Sequence, residues 1–235
     1  MEFKELVKNL DLSLSDTMLL KYENYYNKLV EVNKYMNLTA IVEHDEVYIK
    51  HFYDSLSLNL AVKDFKNIKL CDVGAGAGFP SVPLAIARND INVTIIDSLN
   101  KRINFLNELV KEISINNVKA IHSRAEDFAE LNRESFDVVT ARAVARLNIL
   151  SELCLPIVKV GGLFVAMKAD NKEEIEEGKS AIAKLGGKIE NIIEFDLPYN
   201  MGKRTIVIVR KINQTDKKYP RAFAKIKERP LWVMK

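Results

Sequence analysis

This 235-residue chain is short of several things, and each shortage narrows its class. It has only two cysteines, Cys71 and Cys154. Both sit among apolar neighbours with no metal-ligand spacing between them, so they are expected to be reduced core residues of a cytosolic protein. No apolar run approaches the roughly 20 residues that cross a bilayer. The opening residues, Met1-Glu2-Phe3-Lys4-Glu5-Leu6, lack the basic start and apolar stretch of a secretory signal. There is no internal repeat and no low-complexity tract. What is left is the expectation of one α/β domain with a small addition, built on a chain that is 48% hydrophobic.

Charge is plentiful but uneven. The net charge of +3 hides a C-terminal stretch, Lys203 to Lys235, with 11 Lys or Arg and 2 acids, whereas the rest of the chain carries a net −6. A basic tail on an acidic body suits either a polyanionic partner or a solvated surface. The tail also carries Tyr219, Phe223 and Trp232, whose rings could stack on unpaired bases.

The most informative segment is V-G-A-G-A-G-F-P-S-V-P-L, from Val73 to Leu84. It follows the apolar run Ile68–Val73 and leads into Leu84-Ala85-Ile86-Ala87, so it lies where a strand turns into a helix. Alternate glycines let a backbone turn sharply and approach a ligand. The helix start beyond offers free N–H groups and a positive dipole end. A dinucleotide fingerprint would read G-x-G-x-x-G. Gly74 and Gly76 fit it, but Phe79 stands in the third place and the last glycine, Gly78, comes one residue early. G-x-G-x-G after the acidic Asp72 resembles motif I of the class I S-adenosylmethionine methyltransferases. A second strand, Asn92 to Ile96, ends at Asp97, an acid placed to accept hydrogen bonds from ribose hydroxyls in NAD and S-adenosylmethionine alike.

Around this segment the pattern predicts helices over residues 1–62. One stripe runs through Leu19, Tyr22, Tyr26, Leu29 and Val30 after a Ser15-Asp16-Thr17 cap, and a second helix covers Glu43 to Leu60. From Ile68 strands alternate with helices, which implies parallel βαβ units. Strands are expected at Val118–His122, Phe136–Ala141, Leu163–Met167 (after a Gly161-Gly162 break), Ile189–Leu197 and Arg204–Lys211. Helices are expected at Lys101–Ile113 and Glu173–Leu185. The short Tyr199–Gly202 link suits a hairpin, hence an antiparallel last strand.

Six local sequences occur in one order: Asn37-Leu38-Thr39; His51-Phe52-Tyr53-Asp54-Ser55-Leu56; Asp72 to Pro80; Asp97-Ser98 with Lys101-Arg102; Arg124-Ala125-Glu126; and Ala141-Arg142-Ala143-Val144-Ala145. Together they resemble the small-subunit ribosomal RNA methyltransferase G family, also called glucose-inhibited division protein B, over nearly the whole chain. The resemblance implies a class I S-adenosylmethionine methyltransferase fold: a Rossmann-like, seven-stranded, mostly parallel sheet with an antiparallel last strand. It divides the chain into an N-terminal helical cap (1–62), a methyltransferase domain (63–213) and a basic C-terminal tail (214–235). It also implies a cytoplasmic monomer that methylates N7 of one guanine in the 530 loop of bacterial 16S rRNA, guanine 527 in the usual numbering.

Residue by residue, the resemblance places Gly74, Gly76, Gly78 and Phe79 at the cofactor, Asp97 at its ribose, Ala125 and Glu126 beside its adenine, and Arg142 near the reacting end. No metal is implied. The chain departs from the family pattern at Ser81-Val82, where a glycine is common, and after Tyr219-Pro220-Arg221, where a Gly-Thr-Pro-like turn gives way to Ala222 to Pro230.

The residues carry a chemical expectation of their own. Guanine N7 has a lone pair and no proton, so it needs positioning rather than a general base. The Asp/Asn-Pro-Pro-aromatic run of amine methylation is absent, and neither cysteine follows the proline or threonine common in carbon-5 methylation. Arg142, Arg146 and Lys168, after the fourth and fifth strands, are candidates to hold RNA phosphates or guanine O6, with surface solvation as the alternative for the last two. His51 and Asp54, at i and i+3, either cap the cofactor pocket or bond within the N-terminal helices. The readings that compete are a methyltransferase acting on another RNA, a protein or a small molecule, an NAD-dependent oxidoreductase, and a non-catalytic RNA-binding module.

Overall fold

The computed structural model describes residues 2–142, 144–169 and 172–231; Ala143 and Trp232, both singled out above, lie outside them. Seven strands form one sheet: β1 (Lys69–Val73), β2 (Asn92–Asp97), β3 (Val118–His122), β4 (Phe136–Arg142), β5 (Val158–Ala169), β6 (Gly187–Asp196) and β7 (Lys203–Lys211). Their spatial order is β3-β2-β1-β4-β5-β7-β6. All neighbours are parallel except β7, which runs antiparallel to both β5 and β6. The expected seven-stranded sheet with an antiparallel last strand is what is found. β5 differs in detail: it runs continuously through Gly161-Gly162, with an irregular register against Phe136 to Val138.

The central strands are apolar on both sides because helices cover both faces. Along β4, Val138 belongs to one core and Val139 to the other. The first core takes the N-terminal helices, the second the helices that follow β4 and β5. Cys71 and Cys154 are free, buried thiols of the second core, as expected.

The principal N-terminal helix, α1 (Asp16–Met36), starts where the Ser15 hydroxyl accepts the Met18 N–H at 3.3 Å and stops where Asn37 turns left-handed. Its buried face is Tyr22, Tyr25, Leu29 and Val32, one step round from the expected stripe, so Tyr25 replaces Tyr26 inside. Both buried hydroxyls reach the segment after β1: Tyr22 donates to the Pro83 carbonyl at 2.7 Å and Tyr25 to the Ala77 carbonyl at 2.5 Å.

The second expected helix is broken. His44–Val47 is α-helical, Tyr48–Tyr53 widens into a π-type turn, and Asp54–Leu56 resumes the helix. Such wide turns re-aim side chains and recur at functional sites. This one carries His51 and delivers Asp54.

The α-helices that follow β1 are α2 (Ser81–Ala87), α3 (Asn100–Glu112), α4 (Ala125–Leu131), α5 (Leu147–Cys154), α6 (Lys172–Lys184) and α7 (Phe223–Glu228). Strand order reverses between β1 and β4, and ligands of open α/β sheets bind beyond the strand ends at that point. No helix of the described residues is long and apolar enough to cross a membrane.

Candidate functional site

A cavity of about 480 Å³ opens at that reversal, lined by the β1 glycine loop, the end of β2, the start of α4 and Arg142 at the end of β4. Gly74, Gly76, Phe79, Asp97, Ala125, Glu126 and Arg142 all border it, so seven of the sequence-predicted residues converge on one space. The glycines have different jobs. Gly76 has nothing within 4 Å of where a Cβ would stand. Gly78 faces away from the cavity: at φ +104° a Cβ would meet the Tyr25 hydroxyl at 2.7 Å and Leu106 at 2.9 Å. Gly78 does not line the cavity, and it is glycine because Tyr25 of the principal N-terminal helix and Leu106 pack against the loop there.

Asp97 is almost fully buried and its carboxylate accepts the Leu99 N–H at 2.9 Å and the Gly76 N–H at 3.2 Å. Arg102 reaches the same carboxylate at 3.3 Å. The sequence had marked Lys101-Arg102 only as part of a motif. Asp72, one strand over, does not line the cavity. It is fully buried, one oxygen accepting the Ser81 N–H at 3.2 Å, and burial pushes its carboxyl up to about 7. Ser81 sits in the helical backbone of α2, fully buried, so a side chain is accommodated where the family often has glycine.

Arg142 is the hub of the opposite wall. Its guanidinium donates to Asp54 at 3.0 Å, to the Lys50 carbonyl at 3.3 Å and to His51 Nδ1 at 3.2 Å, and it lies 4.9 Å from the centre of the Phe79 ring. His51 stacks on Phe79 at 4.5 Å and pairs through Nε2 with Thr39 at 2.8 Å. Asn33 fixes Thr39 in turn, accepting its N–H at 2.9 Å and donating to its carbonyl at 2.9 Å. Burial, reinforced by the positive charge of Arg142, lowers the His51 ring to about 3, so it is neutral near pH 7. A neutral ring that accepts from Arg142 at Nδ1 carries its proton on Nε2, aimed at Thr39.

Asp54 bonds Arg204 as well, at 3.0 Å. Behind this wall lies a second cavity of about 260 Å³, lined by Lys50, His51, Asp54, Arg142, Lys168 and Arg204 among others. Lys168 therefore faces this second space and not the first, and it pairs with Glu174 at 2.6 Å. Arg146 lines neither cavity; it pairs with Glu177. Arg204 and Lys50 were not singled out from the sequence. A basic residue opening a strand and another on a charged helix carry no local mark of a site.

The tail aromatics separate. Tyr219 is buried in the second core, so it is not free to stack on a base. Phe223 borders the first cavity and remains 37% exposed.

A family model described as rRNA small subunit methyltransferase G (GidB) matches residues 18–206. The chain belongs to that family. It is 56% identical over 214 residues to the ribosomal RNA small subunit methyltransferase G of Bacillus licheniformis, covering 89% of each chain. It is 52% identical over 219 residues to that of Staphylococcus aureus, covering 92% of each. Among solved structures, the fold is similar to TYW2 of M. jannaschii in complex with AdoMet, at TM-score 0.50 and 22% identity over 61% of this chain and 68% of that one. It is also similar to the YcgJ protein of a Bacillus, at TM-score 0.54 and 12% identity over 68% and 99%.

The protein is thus an S-adenosylmethionine-dependent methyltransferase of the small-subunit rRNA family with the class I fold. The residues present fit that cofactor: an open cradle at Gly76, a buried carboxylate at Asp97 beside it, and a cavity within the ~300–1,000 Å³ common for such ligands.

Proposed function

We propose that the enzyme methylates N7 of guanine 527 in the 530 loop of 16S rRNA. The observation that carries this reading is the Arg142 wall. It separates the cofactor cavity from a basic second cavity, and the His51 and Asp54 acceptors on it are already engaged. Both ring nitrogens of His51 are in use, and both oxygens of Asp54 hold arginines. Such a wall suits an acceptor atom that has a lone pair and no proton to lose.

S-adenosylmethionine supplies a sulfonium methyl when bound. Asp97 would accept the ribose hydroxyls, Gly74 and Gly76 would leave room for the amino-acid part, and Ala125 and Glu126 would border the adenine. Arg142, held by Asp54, His51 and Phe79, would donate to guanine O6 and leave N7 free to attack. Pre-set orientation of this kind can supply roughly 7–11 kcal/mol of barrier lowering in favourable cases. Lys50, Lys168 and Arg204 give the second cavity the positive lining that a nucleotide phosphate requires. On the same reading residues 1–62 form a cap over the cofactor, 63–213 the methyltransferase domain and 214–235 a basic segment, and the enzyme works as a cytoplasmic monomer.

Replacing Arg142 by Ala separates binding from chemistry. S-adenosylmethionine affinity, measured by calorimetry, should change only a few-fold, whereas methyl transfer to small ribosomal subunits should fall about 100-fold, as loss of a charged hydrogen bond to the reacting base predicts. Unchanged transfer would remove Arg142 from the site.

A further inference from the structure

The cofactor cavity has one wall that comes from the end of the chain. After β7 the polypeptide crosses back over the second core and reaches the cavity with Phe223, the first residue of α7. The residues on either side are firmly seated. Tyr219, Ile226 and Leu231 are buried. Arg221 makes three hydrogen bonds to Glu152 of α5: its backbone N–H at 3.0 Å and its Nε at 2.8 Å to one oxygen, and Nη2 at 2.6 Å to the other. Glu152 has no exposed surface, so this carboxylate depends on Arg221 for its charge partner. Arg133 fastens the approach by donating to the carbonyls of Thr215, Lys217 and Tyr219.

Between these fixed points, Phe223 is left 37% exposed, and it borders the same cavity as Leu153 and Ala125. A large ring held at a ligand cavity, with apolar neighbours and an uncovered face, suits a flat aromatic ligand. Covering it with a purine removes apolar surface from water on both partners.

We propose that Phe223 is a cofactor-binding residue that closes the adenine end of the S-adenosylmethionine cavity, with Arg221 and Glu152 as the residues that position it. The inference rests on the placement of the adenine at Ala125 and Glu126. It assigns the C-terminal segment a role in holding the cofactor, where its charge alone suggested RNA. The flanking Lys225, Lys227 and Arg229 remain exposed and available to a polyanion.

The test is calorimetric titration of the full-length protein with S-adenosylmethionine and S-adenosylhomocysteine, without RNA. Phe223→Ala should weaken both by about tenfold, the order of what one lost aromatic–base contact costs. Phe223→Trp should restore binding, and the loss should not depend on salt, because no charge is removed. The melting temperature of the unliganded variant should stay within a few degrees of wild type, since the ring is partly exposed. If Phe223→Ala binds both ligands within twofold of wild type, the proposal fails. If in addition it binds 16S rRNA less tightly, the ring faces RNA instead. Failure of the wild-type protein itself to bind S-adenosylhomocysteine would overturn the cofactor placement together with this inference, and is distinguishable from loss confined to the variant.

Discussion

His51 and Asp72 pull the pH dependence of stability in opposite directions. The His51 ring is lowered from 6.5 to about 3 by burial and by Arg142, so between those values the unfolded chain binds the extra proton and stability rises with pH. The Asp72 carboxyl is raised from 3.8 to about 7 by burial, so over that window the folded chain binds the extra proton and stability falls as pH rises. From about pH 4 to 6.5 the two tendencies offset each other. Asp72→Asn should therefore leave a protein whose melting temperature climbs with pH across this range more steeply than wild type. His51→Gln should tilt the profile the other way. Parallel profiles for the two variants, followed by scanning calorimetry from pH 4.5 to 7.5, would contradict the assigned environments. His51 also shows why this site was only half legible. The i, i+3 spacing joined it to Asp54, but their shared partner, Arg142, lies about 90 positions away along the chain.

The elements divide by how local their causes are. The glycine loop and the strands announced themselves because apolar runs closed by glycine or an acid are local patterns, and the observed strands from β1 to β4 begin and end within a residue or so of the expected ones. The π-type turn at Tyr48–Tyr53 did not, because its extra residue is set by aromatic packing against α1 and Phe79 rather than by any breaker in the sequence. Nor did the burial of Tyr219, since an aromatic in a basic segment reads as a stacking ring until the Arg221–Glu152 pair, 69 residues apart, is seen. The junction between cap and loop can be tested at one atom. Tyr25→Phe removes the hydroxyl that caps the buried Ala77 carbonyl, which should cost about 1–3 kcal/mol and lower the melting temperature by several degrees. Because Ala77 borders the first cavity, where we propose the cofactor sits, S-adenosylmethionine should bind more weakly as well. An unchanged melting temperature would mean that the cap does not hold the loop.

Over the whole molecule, the excess of positive charge in the last 33 residues is spent in several ways. Lys211 is buried against the carbonyls of Leu155 and Val158, Arg221 is clasped by Glu152, and Arg204 turns to the second cavity beside Asp54. Burial lowers Lys211 to about 8, and Glu134 lies 3.5 Å away. Charge counted along the sequence thus overstates what the tail offers to RNA, and the second cavity supplies part of what it lacks. The central claim is that this two-cavity architecture delivers a methyl group to guanine N7 in the 530 loop. It is tested most directly by mass mapping of 16S rRNA from cells lacking this gene, complemented with either the wild-type or the Arg142→Ala protein. The account predicts that N7-methylguanine at position 527 disappears on deletion, returns with the wild-type protein and does not return with Arg142→Ala. Methylation that persists at that position without the gene, or loss of a methyl group elsewhere instead, would contradict it.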